Sequence, residues 1–261
     1  MSDNKYQKIL HRIENRAVDL GINGKIERAS MLINPEKLIL DNIKKGAKTI
    51  IAVGNDKTVD KIINIAATEK ITVGIIPIGK KNKIAKTLGI PEGSLACDIL
   101  SQRRVQNLDL IKINNKYYLS NLMINAKNAE IICENEYKIN LLKKQGQIYI
   151  YNLANKNEIK KMFKLNQNID NYFNPNDGLL DLVIKPTKQN LISKVLKIII
   201  KNNPDKIKDV SIIPVKKIKI NSKNGKPLII NCENDNIVKT FLDVEISSQK
   251  LNIIVGKNRK F

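Results

Sequence analysis

The chain has no tryptophan, 4% aromatic residues, one histidine and three cysteines in 261 residues. Each scarcity removes a class of function. With so few rings, the stacking platform of a single-strand nucleic-acid groove has little to build on. One histidine, His11, leaves a Ser–His–Asp triad or a His-based metal centre short of parts, and it is expected on a solvated helix face. Cys97, Cys133 and Cys232 are odd in number, far apart and without metal-ligand spacing. They are expected to be reduced thiols of a cytoplasmic protein rather than a disulfide framework. No apolar run approaches the ~18 residues of a membrane span. The polar, charged start lacks the apolar core of a signal peptide. Any membrane contact is therefore expected to be peripheral, at the inner face.

Acidic residues are scarce beside basic ones: 25 Asp and Glu against 46 Lys and Arg, a formal net charge of +21. An anionic partner fits that balance, whether nucleotide, anionic lipid surface or nucleic acid. A general lysine bias accounts for it equally well. Hydrophobic residues make up 42% of the chain, enough for two modest cores or one large one.

The first hundred residues alternate helix and strand. Ile9, Leu10, Ile13, Ala17 and Leu20 recur at helical spacing. Lys25 to Ala29 reads as a short strand. Asn34 caps a helix that has Pro35 at its first position. Thr49–Val53 and Val73–Ile76 are apolar runs of buried-strand type, followed by helical patterns over Val59–Ala67 and Ile84–Leu88. This order implies a parallel, helix-covered sheet. From about residue 108 the texture is mainly β. Asp109–Ile113, Asn114-Asn115 and Lys116–Leu119 read as a hairpin. Further strands are expected over Leu179–Ile184, Val215–Ile220, Pro227–Asn231, Phe241–Ile246 and Leu251–Val255. Helices are expected over residues 137–163 and Asn190–Ile200. Tyr149 and Tyr151 are expected in the core.

Two turns carry the chemistry. The first, Gly54-Asn55-Asp56-Lys57-Thr58, follows one apolar run; the second, Pro77-Ile78-Gly79-Lys80-Lys81-Asn82-Lys83, follows the next. A strand-to-helix turn in an α/β fold offers backbone N–H groups and a helix N-terminus to phosphate. Asp56 has two readings, a carboxylate for phosphoryl transfer or a cap on the following helix. Asn82 has two as well, a phosphate contact or a bond within its own turn. Lys57, Lys80, Lys81 and Lys83 are a phosphate-binding cluster or a solvated face.

In order and spacing these segments resemble the diacylglycerol kinase catalytic family, which includes bacterial lipid kinases and sphingosine kinases. That family writes the first turn G-G-D-G-T and the second P-x-G-T-G-N-D-x-A. Leu88-Gly89-Ile90-Pro91 and Asp177-Gly178-Leu179-Leu180-Asp181 match further family segments, and Pro227–Glu233 falls where the family has a strand leading into D-G-E. NAD kinases share the first turn but not the P-x-G-x-x-N-x-x-A run, and rank lower. The departures are Asn55 and Lys57 for glycines, Lys80, Lys81 and Lys83 for Thr, Gly and Asp, and Asn231-Cys232 for Asp-Gly. Asn128 also stands where an Asp is usual. Asn231 cannot accept a proton. Lys tolerates a left-handed backbone poorly where glycine is replaced.

The resemblance implies an α/β fold: a Rossmann-like nucleotide-binding domain over residues 1–107, then a β-rich, sandwich-like domain over 108–261 whose last strand is free to return to the first. It implies ATP and Mg²⁺, with Asp56 catalytic. Gly54, Asn55, Lys57, Thr58, Gly79, Lys80, Lys81, Asn82 and Glu233 would bind nucleotide, and Asp177 and Asp181 a metal ion. The activity it implies is phosphoryl transfer to a lipid hydroxyl such as that of diacylglycerol. Two other classes stay open. A pseudokinase would keep the fold as a nucleotide-, lipid- or anion-binding module. A nucleic-acid-binding protein rests on charge alone.

Overall fold

The computed structural model describes residues 3–28, 34–125, 129–139, 146–166, 168–186, 210–232, 235–239 and 241–261. They form two compact units. One comprises residues 1–108 with 249–260, the other residues 109–248 with Phe261.

The first unit opens with α1 (Asp3–Asp19) and α2 (Pro35–Lys44). The Asn34 side chain accepts from the Glu36 N–H, as its capping position predicts. Strand β1 (Thr49–Gly54), helix α3 (Asp56–Glu69) and strand β2 (Thr72–Pro77) then form a βαβ unit with parallel pairing from Thr49↔Thr72 to Gly54↔Pro77. Helix α4 (Lys83–Thr87), a 3₁₀ turn (Gly93–Leu95), α5 (Ala96–Ser101) and β3 (Val105–Leu108) follow. The chain's last strand, β16 (Leu251–Ile254), enters this sheet parallel to β2 and antiparallel to β3. The order among the described residues is β1-β2-β16-β3. Helix α3 packs across the sheet through Ile62, Ile63 and Ala66, all buried.

The return of the chain is held by two glycines. A Cβ on Gly256 would lie 2.0 Å from the Gly89 carbonyl oxygen, and one on Gly89 would lie 2.7 Å from the Arg259 nitrogen. The Gly256 and Lys260 N–H groups donate to the carbonyls of Leu88 and Thr87, closing the C-terminal end of α4.

The second unit is a sandwich of two antiparallel sheets. One runs β5 (Lys116–Tyr118), β4 (Ile111–Ile113), β15 (Phe241–Ile246), β12 (Lys217–Ser222), β7 (Ala129–Cys133), β8 (Tyr137–Ile139). The other runs β11 (Ser211–Val215), β10 (Leu180–Pro186), β9 (Gly146–Tyr151), β6 (Asn121–Asn125), β13 (Leu228–Cys232), β14 (Asp235–Lys239). Ile111, Ile131, Ile218 and Val244 of the first meet Leu122, Ile148, Leu182 and Ile230 of the second in one core. A smaller cluster under α6 (Lys156–Phe163) holds Tyr149, Tyr151, Phe163 and Phe173. The two tyrosines are thus core residues.

Three sequence expectations need correction. Residues 22–28 have no regular structure, and Ala29 lies outside the described residues. The helix expected over 137–163 is β8, β9 and only then α6. The strand expected over Val215–Ile220 is two strands, because the chain crosses from one sheet to the other at Lys216: β11 pairs with β10, β12 with β15 and β7. The helix expected over Asn190–Ile200 lies outside the described residues. Among those described, no helix is long and apolar enough to cross a membrane.

Candidate functional site

Both predicted turns sit at the C-terminal ends of β1 and β2, adjacent in the parallel sheet. Gly54 is the pivot of the first. A Cβ there would fall 2.4 Å from Thr58 Oγ1 and 2.8 Å from Thr58 Cβ, so only glycine lets α3 start this close to β1. The two glycine replacements in this turn are unstrained. Asn55 is extended, with φ −100° and ψ −176°, and Lys57 lies in the first turn of α3. Neither needs the left-handed backbone expected of the lost glycines. The Asn55 side chain makes no cap; its carbonyl accepts from the N–H groups of Thr58 and Val59.

Asp56 is 4% exposed and ties the turns together. Its N–H donates to the Lys81 carbonyl at 3.0 Å. Its Oδ2 accepts from the Lys83 N–H at 2.8 Å and its Oδ1 from the Ile84 N–H at 3.2 Å. The side chain therefore caps α4, 27 residues away, rather than its own helix. Burial pushes its carboxyl above the usual carboxylate range, against the pull of the Lys83 and Ile84 N–H groups and the Lys83 charge. The N-terminus of α4, one of the two expected phosphate sites, is occupied by Asp56.

The second turn keeps its own donors instead. Gly79 has φ +79° and Lys81 has φ +67°, so the backbone changes hand twice. The N–H groups of Gly79, Lys80, Lys81 and Asn82 donate to no group among the described residues. Successive N–H groups with alternating handedness form an anion-binding concavity. Asn82 Nδ2 donates to the Gly79 carbonyl at 3.0 Å, which fixes the amide orientation. Its Oδ1 is buried without a partner. Lys57, Lys80, Lys81 and Lys83 are exposed, and none forms an ion pair with a described carboxylate.

The other candidates belong to the second unit. Asp177 Oδ1 accepts from the Leu179 N–H at 2.9 Å; Asp181, 4% exposed, accepts from the Phe173 N–H at 2.5 Å. Burial and the negative charge of Asp177 push Asp181 up to about 7, with the Phe173 N–H and Lys156 opposing. Asp177 is raised by burial and by the charge of Asp109, against the Leu179 N–H. Sequence reasoning missed Asp109, which is buried, accepts from the Gly178 N–H and so shapes the same loop. Among the described residues, no three His, Cys, Asp or Glu side chains gather into a metal cage. Asn231 lies on β13 between Met123 and Asn236. Glu233 and Asn128 lie outside the described residues.

The family model of the diacylglycerol kinase catalytic domain matches residues 2–113. A diacylglycerol kinase of Bacillus subtilis (strain 168) is 32% identical over 75 residues, 27% of this chain and 25% of that relative. The chain thus matches about a quarter of that relative's length. A solved diacylglycerol kinase from Bacillus anthracis superposes with a TM-score of 0.69 at 16% identity, covering 97% of this chain and 92% of that one. An NAD kinase from Archaeoglobus fulgidus, solved in complex with ATP, superposes with a TM-score of 0.55 at 12% identity over 96% of this chain and 91% of that one. Over residues 2–113 the chain is similar to the diacylglycerol kinase catalytic domain, and over nearly all its length it has the fold of a bacterial diacylglycerol kinase.

Proposed function

We propose that this chain is a lipid-kinase-like phosphotransferase that binds ATP on its second turn and passes a phosphoryl group to a lipid hydroxyl, such as that of diacylglycerol. The observation that carries it is the run of four N–H groups over residues 79–82 that meet no acceptor among the described residues, beside the exposed Lys80, Lys81 and Lys83. That run is a set of donors without an acceptor, and phosphate oxygens are acceptors with charge to match. Asn82 Oδ1 is the converse, a buried acceptor awaiting a donor such as a nucleotide hydroxyl or a metal-bound water. Gly54, Asn55, Lys57 and Thr58 set the shape and charge of the neighbouring turn.

Asp177 and Asp181 would hold a divalent cation: the Asp177 charge pushes up Asp181, as the Asp109 charge pushes up Asp177, and a cation there would relieve that crowding of negative charge. Mg²⁺ would supply charge neutralisation there, with water completing its shell, as it commonly does beside one or two carboxylates. The lysine excess would assist docking on an anionic membrane, at about 1 kcal/mol per suitably placed Lys or Arg.

A second reading, nucleotide binding without transfer, is favoured by one observation. Asp56 is the carboxylate of the two turns, and both its oxygens are engaged by α4. Labelled phosphate transfer from Mg·ATP to diacylglycerol in mixed anionic vesicles separates the two. Label in the lipid supports the kinase. Nucleotide binding with no labelled lipid supports the second reading.

A further inference from the structure

The N-terminal helix α1 reaches the second turn. It is fixed on α5 at two points, where Cys97 Sγ donates to the Ile13 carbonyl at 3.8 Å and Arg16 pairs with Asp98, and Ile13 itself is buried. Tyr6 stands seven residues before Ile13, two helical turns back, and so shares its face. That places the phenol against Gly79. A Cβ on this glycine would lie 3.3 Å from Tyr6 Oη and 4.0 Å from its Cε1. Glycine at 79 thus serves both the left-handed backbone and the approach of the ring.

Tyr6 remains 41% exposed, and its hydroxyl hydrogen-bonds to no described group. A phenolic O–H this exposed is open to water and to a ligand. It stands over Gly79, the first of the four residues 79–82 whose N–H groups meet no acceptor among the described residues. Its O–H, able to donate as well as accept, adds a fifth donor on this side of the turn, and the oxygens of one polyatomic anion are acceptors that all five could share.

We propose that Tyr6 is a binding residue of the phosphate turn: its hydroxyl donates to a phosphate oxygen of a polyphosphate seated on the N–H groups of 79–82. This rests on the reading of that turn as the phosphate site. The chemistry is shared by nucleoside triphosphates and by inorganic polyphosphate, and the test includes both. A purely structural Tyr6 would use only its ring, which Phe supplies equally well.

The test is Tyr6→Phe in the full chain, titrated by calorimetry with Mg·ATP and separately with tripolyphosphate. The expected result is affinity for both probes weakened by roughly ten- to a hundredfold, the effect of one charge-assisted hydrogen bond. Melting without ligand should be unchanged, since the hydroxyl has no partner among the described residues. Equal affinity of variant and wild type for both probes overturns the proposal. Loss confined to ATP, with tripolyphosphate unaffected, also overturns it, because the contact would then be with base or sugar. A folded wild type that binds neither probe removes the phosphate reading of the turn itself, and Tyr6 with it.

Discussion

Replacing Asp56 separates the two roles open to it. Its carboxylate accepts from the Lys83 and Ile84 N–H groups at 2.8 and 3.2 Å and is 4% exposed. In Asp56→Ala both donors lose their acceptor. Hydrogen bonds to a charged group are worth roughly 1.5–3 kcal/mol each, and here the cost of burying the carboxylate offsets part of that. We expect a net loss of about 3 kcal/mol, or a melting point lower by roughly 6–12 °C in a chain of this size. Asp56→Asn keeps one acceptor and should lose about half as much. Mg·ATP affinity should follow the same order, because the second turn hangs on this clamp through the Lys81 carbonyl as well. The assay is calorimetric melting of the three proteins, followed by Mg·ATP titration. Asp56→Ala melting within about a degree of wild type refutes the clamp. Asp56→Asn that binds nucleotide normally but transfers no phosphate would instead make Asp56 catalytic.

Further outcomes follow from the same contacts. Asp181 ionises at about 7 in the folded chain, against about 3.9 unfolded. Between those values the folded state holds a proton the unfolded state has released, so its contribution is full below about pH 4 and is lost as pH rises to about 7, on the order of 4 kcal/mol. Without divalent cations, Asp181→Asn should therefore gain stability over wild type from pH 5 to pH 8 in urea melts; identical pH dependence would contradict this. Lys81→Gly should raise stability by roughly 0.5–1 kcal/mol by relieving φ +67°, while weakening ATP binding; a less stable variant would refute the strain. Gly54→Ala should cost roughly 1–3 kcal/mol through the clash with Thr58, with Thr58→Ala in the same chain recovering part of it; no recovery would place the strain elsewhere.

The parallel sheet was legible because its signals are local. Thr49–Val53 and Val73–Ile76 are short apolar runs ending in glycine turns, and Asn34-Pro35 announces α2. The second half was less so where lysine-rich stretches favour helix. Gly146–Tyr151 alternates, with Ile148 and Ile150 facing one core and Tyr149 and Tyr151 the other, but the period of two was masked by the basic run before it. Lys25–Ala29 had a strand-like composition, but its described residues 25–28 have no buried side chain to hold a strand; Ile26 is 65% exposed. The candidate site was legible in position and less so in role. Both turns come together as their spacing implied. That Asp56 caps the helix of the other turn, that Gly79 makes room for Tyr6, and that Asp109 shapes the Asp177 loop all depend on partners 27 to 73 residues away. No local pattern encodes such pairs.

The most direct test of the account is calorimetric titration of the wild-type chain with Mg·ATP, repeated on a variant carrying Lys80→Glu, Lys81→Glu and Lys83→Glu. The account predicts saturable binding by the wild type, weakening with salt, and at least a hundredfold loss in the variant with its fold intact, since three charge-assisted contacts become repulsions. Equal binding by both proteins, or none by a folded wild type, would contradict the placement of the phosphates on the second turn.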